Sequence, residues 1–194
     1  MTVRRAQRLR VSAADGLLAG VRQVASPNCD ERPLGAVPEL IVVHGISLPP
    51  GEFGGSWIEA LFTNRLDPNA HPYFADMAGA KVSAHFVIGR DGAITQYVPV
   101  TRRAWHAGQS LWCGREKCND FSIGIELEGT DERPYEAAQY DALADLVGAL
   151  RAAFPSLATA PVVGHCDIAP GRKTDPGPAF DWSALALRLE QQAG

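Results

Sequence analysis

The sequence predicts a single α/β domain: a central mixed β-sheet with helices on its faces. Three observations predict it. Five short runs rich in β-branched residues are bounded by glycine, proline or polar residues, which is how strands read. Asp91-Gly92 lies between two of these runs and is a hairpin signal, so that pair is antiparallel. One long amphipathic pattern supplies a helix to cover the sheet.

The first strand is 40–44, Leu40-Ile41-Val42-Val43-His44, and a short helix is expected at 56–64. Strands 84–89 and 93–98 flank the Asp91-Gly92 turn, and strand 122–128 follows. The best helix is 136–154. Tyr140, Leu143, Val147, Leu150 and Phe154 recur at three- and four-residue steps and form one apolar stripe. Pro155 stops it, because proline cannot donate to the helix and clashes with the preceding turn. The last strand is 161–165. A helix at 181–191 has Asp181 near its start, where a carboxylate suits the helix dipole. Irregular segments remain at 45–55, 99–121 and 166–180; loops of such length inside a compact domain are usually functional.

A chain of 194 residues suits one domain, read as 16–190 behind an N-terminal extension, 1–15. It is 46% hydrophobic and 21% charged, enough for a core and against disorder. A net charge of -4 gives no electrostatic case for nucleic acid or for a membrane surface. No apolar run reaches the ~18 residues of a spanning helix. The basic start is not followed by an uninterrupted apolar segment, since Asp15 and Arg22 intervene, so no secretory signal is read. Cys113 and Cys118 have zinc-pair spacing but no second pair, so Cys29, Cys113, Cys118 and Cys166 read as reduced thiols.

Chemistry gathers at strand ends. His44 ends the first run, His165 follows Val162-Val163-Gly164, and Asp175 lies in the next loop. Two imidazoles and a carboxylate suit a catalytic zinc site, which needs three protein ligands and an open fourth position. Alone, each histidine could equally be a core or loop residue. Glu126 closes Ser122-Ile123-Gly124-Ile125-Glu126; buried there, its pKa should rise, which suits a general base. Glu128 would share its face. Lys173 could stabilise an oxyanion or be a solvated loop lysine. Arg172 could bind an acidic group. Trp105 and His106 put an apolar plate beside an imidazole, suited to a sugar ring or a lactyl group, or to the core. His85 reads as structural. Cys166, if extended beside His165, would point to the opposite face.

These segments together resemble the AmpD-type 1,6-anhydro-N-acetylmuramyl-L-alanine amidases, zinc amidases related to phage lysozyme-type amidases and peptidoglycan recognition proteins. The likeness runs from Val43-His44-Gly45-Ile46-Ser47-Leu48-Pro49-Pro50 through Arg103-Ala104-Trp105-His106-Ala107-Gly108 and Cys118-Asn119-Asp120-Phe121-Ser122-Ile123-Gly124-Ile125-Glu126. It closes with Gly164-His165-Cys166-Asp167 and Arg172-Lys173-Thr174-Asp175-Pro176-Gly177. It implies one zinc ion on His44, His165 and Asp175, and Glu126 and Lys173 as catalytic residues. It also implies a soluble anhydromuropeptide substrate met by Trp105, His106, Lys81, Lys117 and Arg172. A cytoplasmic, monomeric recycling enzyme with a link to β-lactamase induction is expected. Phage-type members carry tyrosine where Ala84 stands and cysteine where Asp175 stands. Gly45 replaces an expected asparagine, and Lys81 and Lys117 replace expected arginines, which are not equivalent at a bidentate site. Two alternatives stay open: an amidase of polymeric wall, exported or phage-type, and a metal-free recognition module on the same fold.

Overall fold

The computed structural model describes residues 9–77 and 79–193. In chain order the strands are β1 (Arg22–Gln23), β2 (Cys29–Asp30), β3 (Leu40–Ile46), β4 (Phe86–Ile88), β5 (Ile94–Gln96), β6 (Arg103–Ala104), β7 (Leu111–Trp112), β8 (Arg115–Glu116), β9 (Ser122–Glu128) and β10 (Val162–Gly164). The helices are α1 (Trp57–Phe62), α2 (Pro72–Ala75), α3 (Ala137–Ala153), α4 (His165–Ile168) and α5 (Trp182–Ala193). Six strands form one sheet in the order β1-β5-β4-β9-β3-β10; β4–β5 is its antiparallel pair and the other pairs are parallel. The mixed sheet with flanking helices is therefore as expected. Residues 1–8 of the expected extension lie outside the described residues, while Val11 pairs with Leu18 and packs into the core.

The period of two divides the sheet. Ile41, Val43, Ile123, Ile125 and Leu127 face α3 and α5 and are fully buried with Leu143, Leu146, Val147 and Leu150. The expected stripe on α3 is the one that packs, and Pro155 follows its end. Its start is secured by Gln139, whose Oε1 accepts from the Glu136 N–H while its Nε2 donates to the Glu128 carbonyl. The opposite face carries Leu40, Val42 and His44 of β3 beside Ser122, Gly124 and Glu126 of β9, covered by the loops and by α1 and α2. The β4–β5 turn needs its glycine: Gly92 has φ +81°, and a Cβ there would lie 2.7 Å from the Ala138 carbonyl oxygen.

Several boundaries shift from expectation, and one of the shifts bears on the site. The strand expected over 161–165 stops at Gly164, and His165 opens α4. Asp167 causes the turn, because its Oδ2 accepts from the Gly164 N–H at 2.7 Å. Cys166 is thus helical, and its N–H donates to the Asp175 carbonyl. Among the described residues no helix is long and apolar enough to cross a membrane.

Candidate metal centre and amidase cleft

Parallel register builds the centre. His44 of β3 lies opposite Glu126 of β9, and Gly164 of β10 lies opposite Val43, so His165 emerges beside His44. All three positions are at the carboxyl ends of parallel strands, where open α/β sheets form their sites. The loop after α4 returns Asp175 to the same point. His44 Nδ1 is 3.0 Å from His165 Nδ1, and Asp175 Oδ2 is 3.3 and 3.1 Å from these two atoms. Both histidines are buried, and the three ligand atoms lie within 4.8 Å of one another.

The donor set itself fits a cation. The other nitrogen of each ring is engaged elsewhere: His44 Nε2 with His106 Nδ1 at 2.9 Å, His165 Nε2 with the Ala107 carbonyl at 3.2 Å. Two imidazole nitrogens and a carboxylate oxygen are thereby left facing one point, where their lone pairs repel unless a positive charge lies between them. Burial pushes His44 down to about 4, so it is neutral, as a metal ligand must be. Burial alone would raise Asp175, but its close contacts with the His165 and His44 rings outweigh that and hold its carboxyl well below the usual range.

Glu126 stands next to this cluster. Its Oε1 is 4.0 Å from His44 Nδ1, and its buried Oε2 has no hydrogen-bond partner. Burial first, then the Asp175 charge, push its carboxyl well above the ordinary value, while Lys173 pulls the other way. Glu128, on the same face, is spent on structure: its Oε1 accepts from the Gly54 N–H at 2.7 Å. The cluster and Glu126 share a cavity of about 570 Å³ with Lys173, Trp105, Tyr73 and Met77. Trp105 is half-buried and held by an indole N–H donated to Asp30 Oδ1. Lys173 is exposed at the rim.

The remaining expected substrate residues are distributed differently. Lys117 and Arg172 line a second cavity, about 610 Å³, together with Gln109 and Ser110. The Arg172 guanidinium donates to the Ala107 and Gln109 carbonyls and so pins that segment rather than facing the metal ligands. Lys81 is exposed and lines neither cavity. His106 lines the cleft; it is 8% exposed and both its nitrogens are bonded to protein. His85 is structural as expected: its Nδ1 accepts from the Gly124 N–H and its Nε2 donates to the Arg102 carbonyl. Gly45 has a local reason, since a Cβ there would lie 2.3 Å from the Tyr135 hydroxyl oxygen. That hydroxyl donates to the carbonyl of Pro176, next to Asp175.

Sequence reasoning missed Ser122, Asn119 and Tyr135. Ser122 carried a signal, because it shares the β9 face of Glu126 by strand period. Asn119 carried none; its Oδ1 accepts from the N–H groups of His106 and Ala107 and shapes the loop behind the ligands.

Comparison with known proteins agrees with this geometry. The N-acetylmuramoyl-L-alanine amidase family matches residues 34–178. The chain is 59% identical over 177 residues to the 1,6-anhydro-N-acetylmuramyl-L-alanine amidase AmpD of Escherichia coli (strain K12), covering 91% of this chain and 96% of that one. It is 62% identical over 169 residues to the AmpD of Citrobacter freundii, covering 87% and 90%. A crystal structure of a selenomethionine AmpD derivative superposes with a TM-score of 0.87 at 59% identity, covering 90% and 97%. A His-His-Asp cluster with both histidines buried, carried on this sheet in a chain that its relatives match over almost its whole length, places the protein in the N-acetylmuramoyl-L-alanine amidase family, among its AmpD-type members.

Proposed function

We propose that the chain hydrolyses the amide between 1,6-anhydro-N-acetylmuramic acid and the L-alanine of a soluble stem peptide, using one zinc ion held by His44, His165 and Asp175. The observation that carries this reading is the convergence of three metal-binding atoms next to Glu126 Oε2, a buried carboxylate oxygen without a partner. Zinc bound to such ligands lowers the pKa of water toward ~7 and polarises a carbonyl. Glu126 is the general base; its raised pKa makes it a better proton acceptor near neutral pH, and it delivers the proton to the departing alanine amine. The Lys173 ammonium, at the rim of the same cavity, stabilises the oxyanion. The half-buried Trp105 ring forms an apolar wall for the sugar or its lactyl group. Identity near 60% to AmpD-type relatives supports a cytoplasmic place in cell-wall recycling, and four free cysteines accord with it.

The test is mass-spectrometric turnover of 1,6-anhydro-N-acetylmuramyl-tripeptide. Free tripeptide should appear, vanish with a chelator and return with zinc. No release by protein carrying one equivalent of zinc would refute the substrate assignment. Equal release from intact murein would move the reading to a polymer-directed amidase.

A further inference from the structure

Behind the metal ligands, a buried chain of polar groups runs from His44 into the sheet. His44 Nε2 is 2.9 Å from His106 Nδ1, His106 Nε2 is 3.1 Å from Ser122 Oγ, and Ser122 Oγ is 2.5 Å from the Cys118 carbonyl oxygen. His44, His106 and Ser122 are all buried, Ser122 completely. The direction of every bond follows from its last member. A carbonyl oxygen only accepts, so Ser122 donates its one hydroxyl proton to Cys118. The lone pairs of Ser122 Oγ then accept from His106 Nε2–H. A neutral imidazole has one donor and one acceptor, so His106 Nδ1 must accept, and His44 Nε2–H must donate to it. His44 Nδ1 is left bare, and it is the atom that faces His165 Nδ1 and Asp175 Oδ2.

We infer that His106 and Ser122 are positioning residues that set the tautomer and ring orientation of His44 and so present its Nδ1 to the metal. Geometry beyond the hydrogen bonds supports this. The His106 ring lies on Gly124, where a Cβ would come within 2.3 Å of His106 Cγ, so the close approach requires glycine. The His106 and His44 rings meet edge-on, with centroids 5.0 Å apart and planes at 89°, which aims the Nε2–H of one at the lone pair of the other. Asn119 Oδ1 accepts from the His106 N–H and fixes the backbone that carries the ring. His165 has a simpler orienting partner in the Ala107 carbonyl. The two histidine ligands are thus oriented by different devices, one a side-chain relay and one a backbone carbonyl. Partners of this kind typically contribute ~10–100-fold to metal affinity.

The inference rests on the metal-centre reading but not on the substrate, so its test uses metal binding and NMR rather than turnover. Long-range 1H–15N spectra of metal-free protein at pH 8 should show His44 and His106 both as Nε2–H tautomers. An Nδ1–H tautomer at His44 would overturn the relay without touching the amidase assignment. His106→Phe keeps a ring over Gly124 and removes the acceptor; zinc affinity, read by competition with a chromogenic chelator, should fall ~10–100-fold. His106→Asn, which can return an acceptor oxygen near the Nδ1 position, should recover part of that loss. Equal losses in the two variants, or none in His106→Phe, would show that the polarity of the chain is irrelevant. Should His106→Phe fail to fold, Ser122→Ala serves, with a smaller loss of zinc affinity expected and an unchanged affinity counting against the relay.

Discussion

The two faces of β9 differ by one residue in phase and by everything in purpose. Ile123, Ile125 and Leu127 point to α3 and are completely buried among aliphatic side chains. Ser122, Gly124, Glu126 and Glu128 point the other way and are also buried, but among polar atoms. Burial is therefore not what separates core from site in this molecule. On the first face each group is satisfied by contact, with roughly 25 cal/mol per Å² of apolar area removed from water as the driving force. On the second face each polar group needs a partner. Ser122 and Glu128 have theirs, whereas Glu126 Oε2 has none. An unpaired buried carboxylate is costly, and its retention beside three ligand atoms is what the proposed general base rests on.

The sharpest way to break this comparison is to neutralise the unpaired group. Glu126→Gln should lower kcat by ~10²–10⁴, the range for loss of a general base. Metal content should be unchanged, because Glu126 is not among the candidate ligand atoms. The thermal midpoint should hold or rise, since a carboxyl whose pKa is raised by folding opposes folding at neutral pH. A variant that keeps full activity would return Glu126 to the status of Glu128.

How much of this was legible before the structure follows the same division. The apolar face was open to pattern reading: Tyr140, Leu143, Val147 and Leu150 declare the buried side of α3, and Asp91-Gly92 declares the one antiparallel pair of the six-stranded sheet. That His44, Glu126 and His165 come together was legible because they sit at the ends of apolar runs. What was less legible is how the loops fold back. Arg172 and Lys117 carry the right charge for a substrate, and the structure places both in the lining of a second cavity rather than of the cleft. His106 was expected at the substrate; its ring lies on Gly124 in the wall of the cleft, and no local pattern says which way a loop side chain will face. The short helix at His165 hinged on one acceptor, Asp167, three residues after Gly164.

A second prediction concerns a histidine between the faces in kind, buried and polar yet structural. Burial, with the Arg32 charge adding to it, lowers His85 to about 3. Its folded value lies below the unfolded 6.5, so the unfolded chain takes up the proton first. Stability from this group is complete above about pH 6.5 and is lost as pH falls toward 3, at ~1.4 kcal/mol per unit, or about 2 kcal/mol by pH 5. Thermal melts of chelated protein between pH 8 and 4 should show this slope. His85→Asn, which can keep an acceptor for the Gly124 N–H, should flatten it. An unchanged slope in that variant would assign the acid sensitivity to His44 and His106 instead.

The smallest effect tests whether the faces are independent. Ile125→Val removes one methylene from a fully buried side chain directly between Gly124 and Glu126. The loss should be ~0.5–1.5 kcal/mol, seen in urea denaturation as a lower midpoint with an unchanged slope. Because the side chain points at α3, the cavity opens away from the cleft, and kcat and KM should stay within about two-fold, well under the ~10-fold that 1.4 kcal/mol of barrier would bring. Loss of activity in step with stability would mean that packing under β9 sets the position of Glu126. The sheet would then be one mechanical unit whose aliphatic face holds the carboxylate in register, and the phase difference along β9 would separate composition without separating function.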